Sequence, residues 1–154
     1  MTAKPETPGA PGASERITPA YRPQQVEKAA PCQGGCANCG DIRGWIGIVA
    51  QRDKLGFGRE EAYARAWRII TDVNPFPATL GRICPHPCED HCNRAEWDQP
   101  LAINAMERFL GDFGIHSRLP LQSEAARGDS EKIGVIGAGP SGLSFAYQMA
   151  RRGY

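Results

Sequence analysis

Apolar residues recur at helical spacing in three segments of the chain. The first segment follows Asp41, an N-cap residue type, and Gly56 is expected to end it. The second begins near 59–61, where acidic residues favour a helix N-terminus, and ends at the Asn-Pro-Phe-Pro sequence of 74–77. The third runs over about 101–113. The three apolar stripes are Ile42, Trp45, Ile46 and Val49; Ala62, Ala66, Ile69, Ile70 and Val73; and Ile103, Met106, Leu110 and Phe113.

The regions outside these helices divide the chain into units. Residues 1–22 are rich in proline and glycine with few apolar side chains, so we expect a flexible N-terminal arm. Residues 23–116 form the helical domain, and the polar segment 117–131 is typical of a linker. Residues 132–154 supply one predicted strand and one predicted helix, too little to bury both faces of a parallel sheet. We therefore expect the N-terminal piece of a longer protein.

The charge balance excludes some classes of function. The chain contains 18 Lys and Arg residues and 17 Asp and Glu residues, which gives a net charge of +1. This balance does not indicate nucleic acid as a partner. No apolar run approaches the ~18 residues of a transmembrane segment, and no signal peptide is evident. We expect a cytoplasmic protein. Because thiols stay reduced in the cytosol, the six cysteines indicate metal or redox chemistry rather than disulfides.

The cysteines form two short-spaced groups, C-x3-C-x2-C and C-x3-C-x3-C, separated by 44 residues. Two thiol-bearing segments that converge are what a metal centre requires. Six thiols outnumber the ligands of one tetrahedral zinc ion, and iron–sulfur clusters use cysteines on Gly- and Pro-rich loops, so the pattern favours iron–sulfur over zinc. Pro85 and Pro87 predict irregular backbone at the second group, and glycines predict a loop at the first. The first spacing also occurs in radical S-adenosylmethionine enzymes, but no strand pattern precedes Cys32.

Three further residues are candidates for the site. Glu107 lies on the apolar side of the third predicted helix, where an ionised carboxylate is costly unless it is paired or bound to a metal. Helix spacing leaves two explanations open, an ion pair with Arg82 or another arginine, and ligation of a metal. His86 and His91 lie among the second cysteines, where we expect them to hydrogen-bond a cluster or cap a loop rather than ligate.

A glycine-rich fingerprint follows the predicted strand at 132–136 and opens the last predicted helix. In this context G-x-G-x-x-G predicts dinucleotide binding, because the glycines permit a tight turn, approach of a pyrophosphate and close helix packing. The acidic residue expected about 20 positions further on would fall beyond Tyr154. The predicted nucleotide-binding residues are Gly137, Gly139, Pro140, Ser141 and Gly142.

Several segments together resemble a known family. They are PCQGGC, DIRGWIGIVAQ, NPFPATLGRICPHPCEDHCNR, AINAMERFLGDF and VIGAGPSGLSFAYQMARRG, within 31–113 and 132–154. On these residues the chain resembles the N-terminal iron–sulfur domain shared by the glutamate synthase small subunit and dihydropyrimidine dehydrogenase. The resemblance implies a mostly α fold: a helical domain with two [4Fe–4S] clusters, followed by the first β-strand and helix of a Rossmann-like FAD-binding domain. FAD and NAD(P)H are then the implied cofactors of the longer protein.

The resemblance also implies the ligands. One cluster would use Cys36, Cys84, Cys88 and a carboxylate or amide of the third helix, here Glu107. The second would use Cys32 and Cys92. Two further family thiols correspond to Gln24 and Glu27 here, and Cys39, which the family pattern lacks, is a candidate replacement; this leaves the fourth ligand unidentified.

The function implied is electron transfer within an NAD(P)H:acceptor oxidoreductase, between FAD and a partner protein through the clusters. No residue is required as a general acid or base, because the cofactors carry the chemistry. Within this family, the sequence of these segments is most similar to that of the oxidoreductases that serve dissimilatory sulfite reductase. This resemblance implies that enzyme as the redox partner. The alternatives are a glutamate synthase small subunit that feeds an amidotransferase subunit, and a zinc-stabilised helical interaction domain.

Overall fold

A computed structural model of the chain describes residues 28–123 and 132–154. The expected arm at 1–22, Gln24, Glu27, and 124–131 of the expected linker lie outside the described residues. The described part is helical, and none of its helices is long and apolar enough to cross a lipid bilayer. The elements are α1 (Pro31–Gly35), α2 (Ile42–Ala50), α3 (Arg59–Val73), α4 (Pro77–Ile83), α5 (Pro87–Asp90), a 3-10 helix (Asn93–Glu96), α6 (Ile103–His116) and α7 (Pro140–Arg151).

The three helices with apolar stripes are confirmed, but α2 ends at Ala50 and not at Gly56. Asp41 caps α2, because its side chain accepts a hydrogen bond from the Gly44 backbone N–H at 2.9 Å. Helix α3 ends at Val73, directly before the Asn-Pro sequence that was expected to stop it. Helix α6 continues beyond the predicted end to His116.

The prediction of irregular backbone at the cysteines was wrong in part. Cys32 lies in α1 and Cys88 lies in α5, and α4 was not predicted at all. Each of these helices has a proline in its first turn. Proline is tolerated there because the N–H groups of the first turn have no partner within the helix, so these prolines begin helices instead of excluding them.

Helices α4 and α6 approach each other at two glycines, Gly81 and Gly111. A Cβ atom on Gly81 would lie 2.5 Å from Arg108 Cα, and one on Gly111 would lie 2.6 Å from Ala78 Cα. Side chains there would force the helices apart. This close packing fixes the segment that leads into Cys84 against the helix that carries Glu107.

The buried core lies between α2, α3, α5 and α6. Apolar residues from the predicted stripes form most of it, and its largest fully buried apolar side chains are Ile103 and Leu110, at 1% and 2% exposure. The core cluster consists of Ile42, Trp45, Ala66, Ile70, Cys88, Ile103 and Leu110. A cysteine of the second group is therefore part of the core.

Residues 132–138 form no strand, although the sequence predicted one at 132–136. A strand needs a neighbour to pair with, and the described residues contain no second strand. The predicted last helix is present as α7, which contacts the C-terminal end of α3. Tyr147 Oη donates to the Thr71 carbonyl at 2.6 Å, and Arg151 contacts the backbone and carboxylate of Asp72. These donors satisfy carbonyls that a helix end leaves unpaired.

Candidate metal centre

A cavity of about 410 Å³ lies where α2, α3, α4 and α6 meet. Cys36, Cys84, Cys88 and Glu107 all line it. Most of the remaining wall is apolar, and several of its side chains belong to the buried core, among them Trp45, Ile70 and Ile103. The structure therefore brings together the four residues of the first predicted ligand set.

The backbone explains why thiols from distant segments meet. Cys36 directly follows α1, Cys84 directly follows α4, and Cys88 is the second residue of α5. Helix α1 packs against α5, and α4 packs against α6. Between the second and third thiols, His86 adopts a left-handed conformation with φ of 46°, which turns the chain between the two helices.

The Cys88 thiol lies in a desolvated and electronegative environment. Burial raises its pKa to about 11, with smaller contributions from neighbours that carry or can carry negative charge. Without a bound cation this thiol stays protonated at neutral pH, and a cation in the cavity would reverse that preference. The neighbours are Cys36, Glu89, Cys84 and Glu107.

A backbone N–H group also faces one of the thiols. The His86 N–H donates to Cys84 Sγ at 3.4 Å. Hydrogen bonds of this kind to cysteine sulfur tune the reduction potential of iron–sulfur clusters. The His86 ring lies 3.5 Å from Glu89 Oε2, and His91 lies against Gly35 of α1. Metal ligation by either histidine was not expected.

The Glu107 carboxylate is not part of an ion pair in the described residues, so the alternative of a bond to Arg82 is wrong. Arg82 instead donates two hydrogen bonds to Asp112, each at 2.9 Å. Burial raises the pKa of Glu107, and one hydrogen bond from the Asn74 side chain, at 2.6 Å, opposes that rise. Among the described residues Glu107 therefore has a neutral hydrogen-bond partner and no cation, and the prediction that it ligates a metal stays a prediction.

Asn74 is a site residue that the sequence argument missed. It was interpreted only as part of a helix stop, yet its side chain is 4% exposed, lines the cavity and contacts Glu107. Its Oδ1 accepts a hydrogen bond from the Phe76 N–H at 2.9 Å, the usual Asx turn of an asparagine that ends a helix. An Asn-Pro sequence thus signals the turn, but nothing in the sequence signals the contact with Glu107.

The residues of the second predicted ligand set are brought together only in part. Cys32 lies in α1, which packs against α5, and Cys92 lies two residues after the end of α5. Burial raises the pKa of Cys32. Cys39 is exposed, with φ of 49°, and lines a shallower depression with Gln33, Arg68 and other residues.

The donor set and the cavity fit an iron–sulfur cluster. No group of three or more His, Cys, Asp or Glu side chains within 28–123 and 132–154 is placed to share one metal ion. The three thiols and one carboxylate surround a cavity instead, as ligands of a multi-atom cluster do. Apolar walls exclude water from such a group, and the His86 N–H supplies a donor to one of its ligands.

The glycine fingerprint lies in the turn that precedes α7. Gly137 has φ of 103°, a conformation that favours glycine. A Cβ on Gly142 would overlap the Gly137 carbonyl, whereas one on Gly139 would meet nothing within 4 Å. Pro140 and Ser141 form the first turn of α7. The turn therefore has no room for a side chain at Gly142 and has open space beside Gly139.

Comparison with known proteins gives a match over most of the helical domain. Residues 11–119 match the family described as dihydropyrimidine dehydrogenase domain II, 4Fe–4S cluster. The matched range contains all six cysteines and Glu107.

Individual relatives align with most of this chain but with a small part of their own length. The chain is 34% identical over 167 residues to the beta subunit of an NADP(+)-dependent formate dehydrogenase from Moorella thermoacetica, covering 95% of this chain and 22% of that protein. It is 32% identical over 145 residues to the NADPH-Fe(3+) oxidoreductase subunit beta of Geobacter sulfurreducens, covering 90% and 20%. It is 28% identical over 141 residues to the NADPH glutamate synthase small chain of Bacillus subtilis, covering 83% and 29%.

Proposed function

Because the chain belongs to the family of dihydropyrimidine dehydrogenase domain II iron–sulfur domains, we propose that its cavity holds a [4Fe–4S] cluster bound by Cys36, Cys84, Cys88 and Glu107. The observation that carries this proposal is the convergence of these four side chains on one cavity. A bound cluster supplies one-electron redox chemistry. The protein supplies the ligands, the apolar wall that excludes water, and a fixed position.

The domain would act as the electron-transfer module of an NAD(P)H:acceptor oxidoreductase. The names of the Moorella and Geobacter relatives include NADP(+) or NADPH, and both relatives are beta subunits. FAD is the proposed cofactor at Gly137, Gly139, Pro140, Ser141 and Gly142, because this turn opens α7 and α7 contacts the cluster domain. A nucleotide site there requires the rest of a Rossmann-like sheet.

A second [4Fe–4S] cluster is proposed at Cys32 and Cys92. Its support is the packing of α1, which contains Cys32, against α5, which directly precedes the turn that contains Cys92. Cys39 is proposed as a third ligand. It lies in an exposed turn that closely follows α1. The fourth ligand remains unassigned.

The proposed partner is a catalytic subunit that exchanges electrons with the clusters. Dissimilatory sulfite reductase is the partner implied by the sequence resemblance. A second candidate function, supply of electrons to the amidotransferase subunit of glutamate synthase, is favoured by the similarity to the Bacillus subtilis small chain. Reduction of purified sulfite reductase by NAD(P)H through this protein, compared with glutamine-dependent glutamate formation, distinguishes the two.

Metal and sulfide analysis tests the cluster itself. Protein purified without oxygen should be brown and contain iron and acid-labile sulfide in equal amounts, about four of each per chain for every cluster. A colourless protein that contains zinc and no labile sulfide would instead establish the zinc-stabilised interaction domain. About twice the iron and sulfide that one cluster contains would support the second site.

A further inference from the structure

The Asn74 side chain makes two hydrogen bonds of opposite polarity. The Phe76 backbone N–H donates to its Oδ1 at 2.9 Å, and its Nδ2 donates to Glu107 Oε1 at 2.6 Å. The residue directly follows α3 and is 4% exposed. A buried side-chain amide with both ends engaged has one orientation.

The first of these bonds fixes the second. A backbone N–H can only donate, so the atom that faces Phe76 must be the amide oxygen. The amide nitrogen is then the atom that faces Glu107, and Glu107 Oε1 must be the acceptor. No other hydrogen bond or ion pair reaches Glu107 from the described residues, so its Oε2 has no partner there.

The chemical nature of this partner matters, because three other carboxylates of the domain are paired with arginines. Asp112 is bound by Arg82, Glu61 by Arg65 and Asp98 by Arg94. A guanidinium neutralises a carboxylate and can occupy both of its oxygens. A neutral amide orients the carboxylate through one oxygen and leaves its negative charge for a metal.

We propose that Asn74 is a positioning residue that holds Glu107 Oε1, so that the carboxylate binds cluster iron through Oε2. This inference rests on the proposed function, in which Glu107 is a ligand. Hydrogen-bonded partners of metal ligands set ligand orientation, and their loss typically costs ~10–100-fold in metal affinity. The Asx turn at Phe76 supplies the rigidity, because it ties the amide to the backbone at the end of α3.

Two substitutions separate the contact with Glu107 from the turn. Asn74→Asp and Asn74→Ser both keep an oxygen that can accept from the Phe76 N–H, and both lose the amide donor. Aspartate adds a charge and serine does not. In the anaerobically purified protein we expect both variants to alter the electron paramagnetic resonance spectrum of the reduced cluster and to shift its midpoint potential. Loss of iron to a chelator should be about 10-fold faster or more.

The Glu107→Cys background distinguishes positioning from a structural role. If Asn74 acts through the carboxylate, Asn74→Ser should change the spectrum in the parent and leave the spectrum of Glu107→Cys unaltered. Equal changes in both backgrounds would show that Asn74 acts through the turn and would overturn the proposal. Asn104→Ala is the control, because Asn104 lines the same cavity but its amide donates to the Leu80 carbonyl, at 3.3 Å.

The experiments distinguish two hypotheses, that Asn74 positions Glu107 and that Glu107 is a ligand of the cluster. A spectrum that changes in Glu107→Ala but not in Asn74→Asp or Asn74→Ser rejects positioning alone. A spectrum that stays unchanged in Glu107→Ala rejects Glu107 as a ligand, and the inference with it. Circular dichroism of each variant confirms that the helices are retained, so a lost cluster is not mistaken for a lost fold.

Discussion

Substitution of Glu107 should stabilise the metal-free protein but damage or alter the cluster in the loaded protein. In the described part of the metal-free chain, the partly buried carboxylate of Glu107 has a single neutral hydrogen-bond partner and no cation. Such a group destabilises the fold because its desolvation is only partly compensated. In the loaded protein the same negative charge is a ligand. If Glu107 is a ligand, its carboxylate should therefore lower the stability of the domain when no cluster is bound.

The size of the effect follows from the contacts of Glu107. Burial of a charge costs several kcal/mol, and one hydrogen bond to a charged group returns about 1.5–3 kcal/mol. Glutamine keeps an oxygen that can accept from Asn74 and removes the charge. Because Glu107 is only partly buried, we expect Glu107→Gln to stabilise the metal-free protein by about 1–2 kcal/mol.

The assay combines unfolding with spectroscopy. Urea unfolding of the metal-free protein at neutral pH, followed by circular dichroism, measures the gain in stability. Electron paramagnetic resonance of the loaded and reduced protein should show a damaged or altered cluster in Glu107→Ala. It should show a retained cluster with a changed spectrum in Glu107→Cys.

A matched control is available on α3. Glu61 is exposed and forms an i,i+4 pair with Arg65, so Glu61→Gln should cost about 0.2–0.5 kcal/mol and leave the spectrum unchanged. The reasoning is refuted if Glu107→Gln destabilises the metal-free protein while Glu107→Ala keeps the parent spectrum. That combination would make Glu107 a structural residue.

Three further predictions concern the packing around the site. Gly111→Ala should destabilise the protein by about 1–3 kcal/mol in urea unfolding, because its Cβ meets the α4 backbone; Gly47→Ala, whose Cβ meets nothing within 4 Å, should stabilise it by up to about 1 kcal/mol. The Arg82 guanidinium holds the pKa of Asp112 below its ordinary value. Stabilisation by this pair is therefore present above the unfolded-state pKa and lost as the pH falls through the lower folded-state pKa, so parent and Asp112→Asn should differ in urea midpoint at pH 7 and converge in strong acid. Arg151→Ala should release α7 from the end of α3, seen as faster amide hydrogen exchange in α7 while α2 and α6 stay protected.

The helical scaffold was largely predictable because its helices obey local rules. The spacing of apolar residues placed α2, α3 and α6, and Asp41 marked the start of α2. Helices α1, α4 and α5, which begin at prolines, were missed because each has seven residues or fewer. Segments this short show no apolar period, and tertiary packing rather than propensity stabilises them.

The site was predictable to the extent that its chemistry depends on residue type. Thiols at short spacing indicated a metal centre, whereas the position of Glu107 on an apolar stripe left ligation and an ion pair equally open. The partner of Glu107 was not predictable from helix spacing. Spacing does not show that Arg82 binds Asp112, or that Asn74 is the residue that donates to Glu107. Choices between alternative polar partners depend on how α3, α4 and α6 pack, which no local pattern encodes.

Anomalous X-ray scattering on anaerobically grown crystals tests the cluster most directly. Data collected on both sides of the iron absorption edge should show a compact group of iron atoms in the cavity, bounded by Cys36, Cys84 and Cys88 and contacted by the Glu107 carboxylate. A single peak that appears only above the zinc edge, or a cavity without anomalous density in protein that retains its iron, would contradict the account.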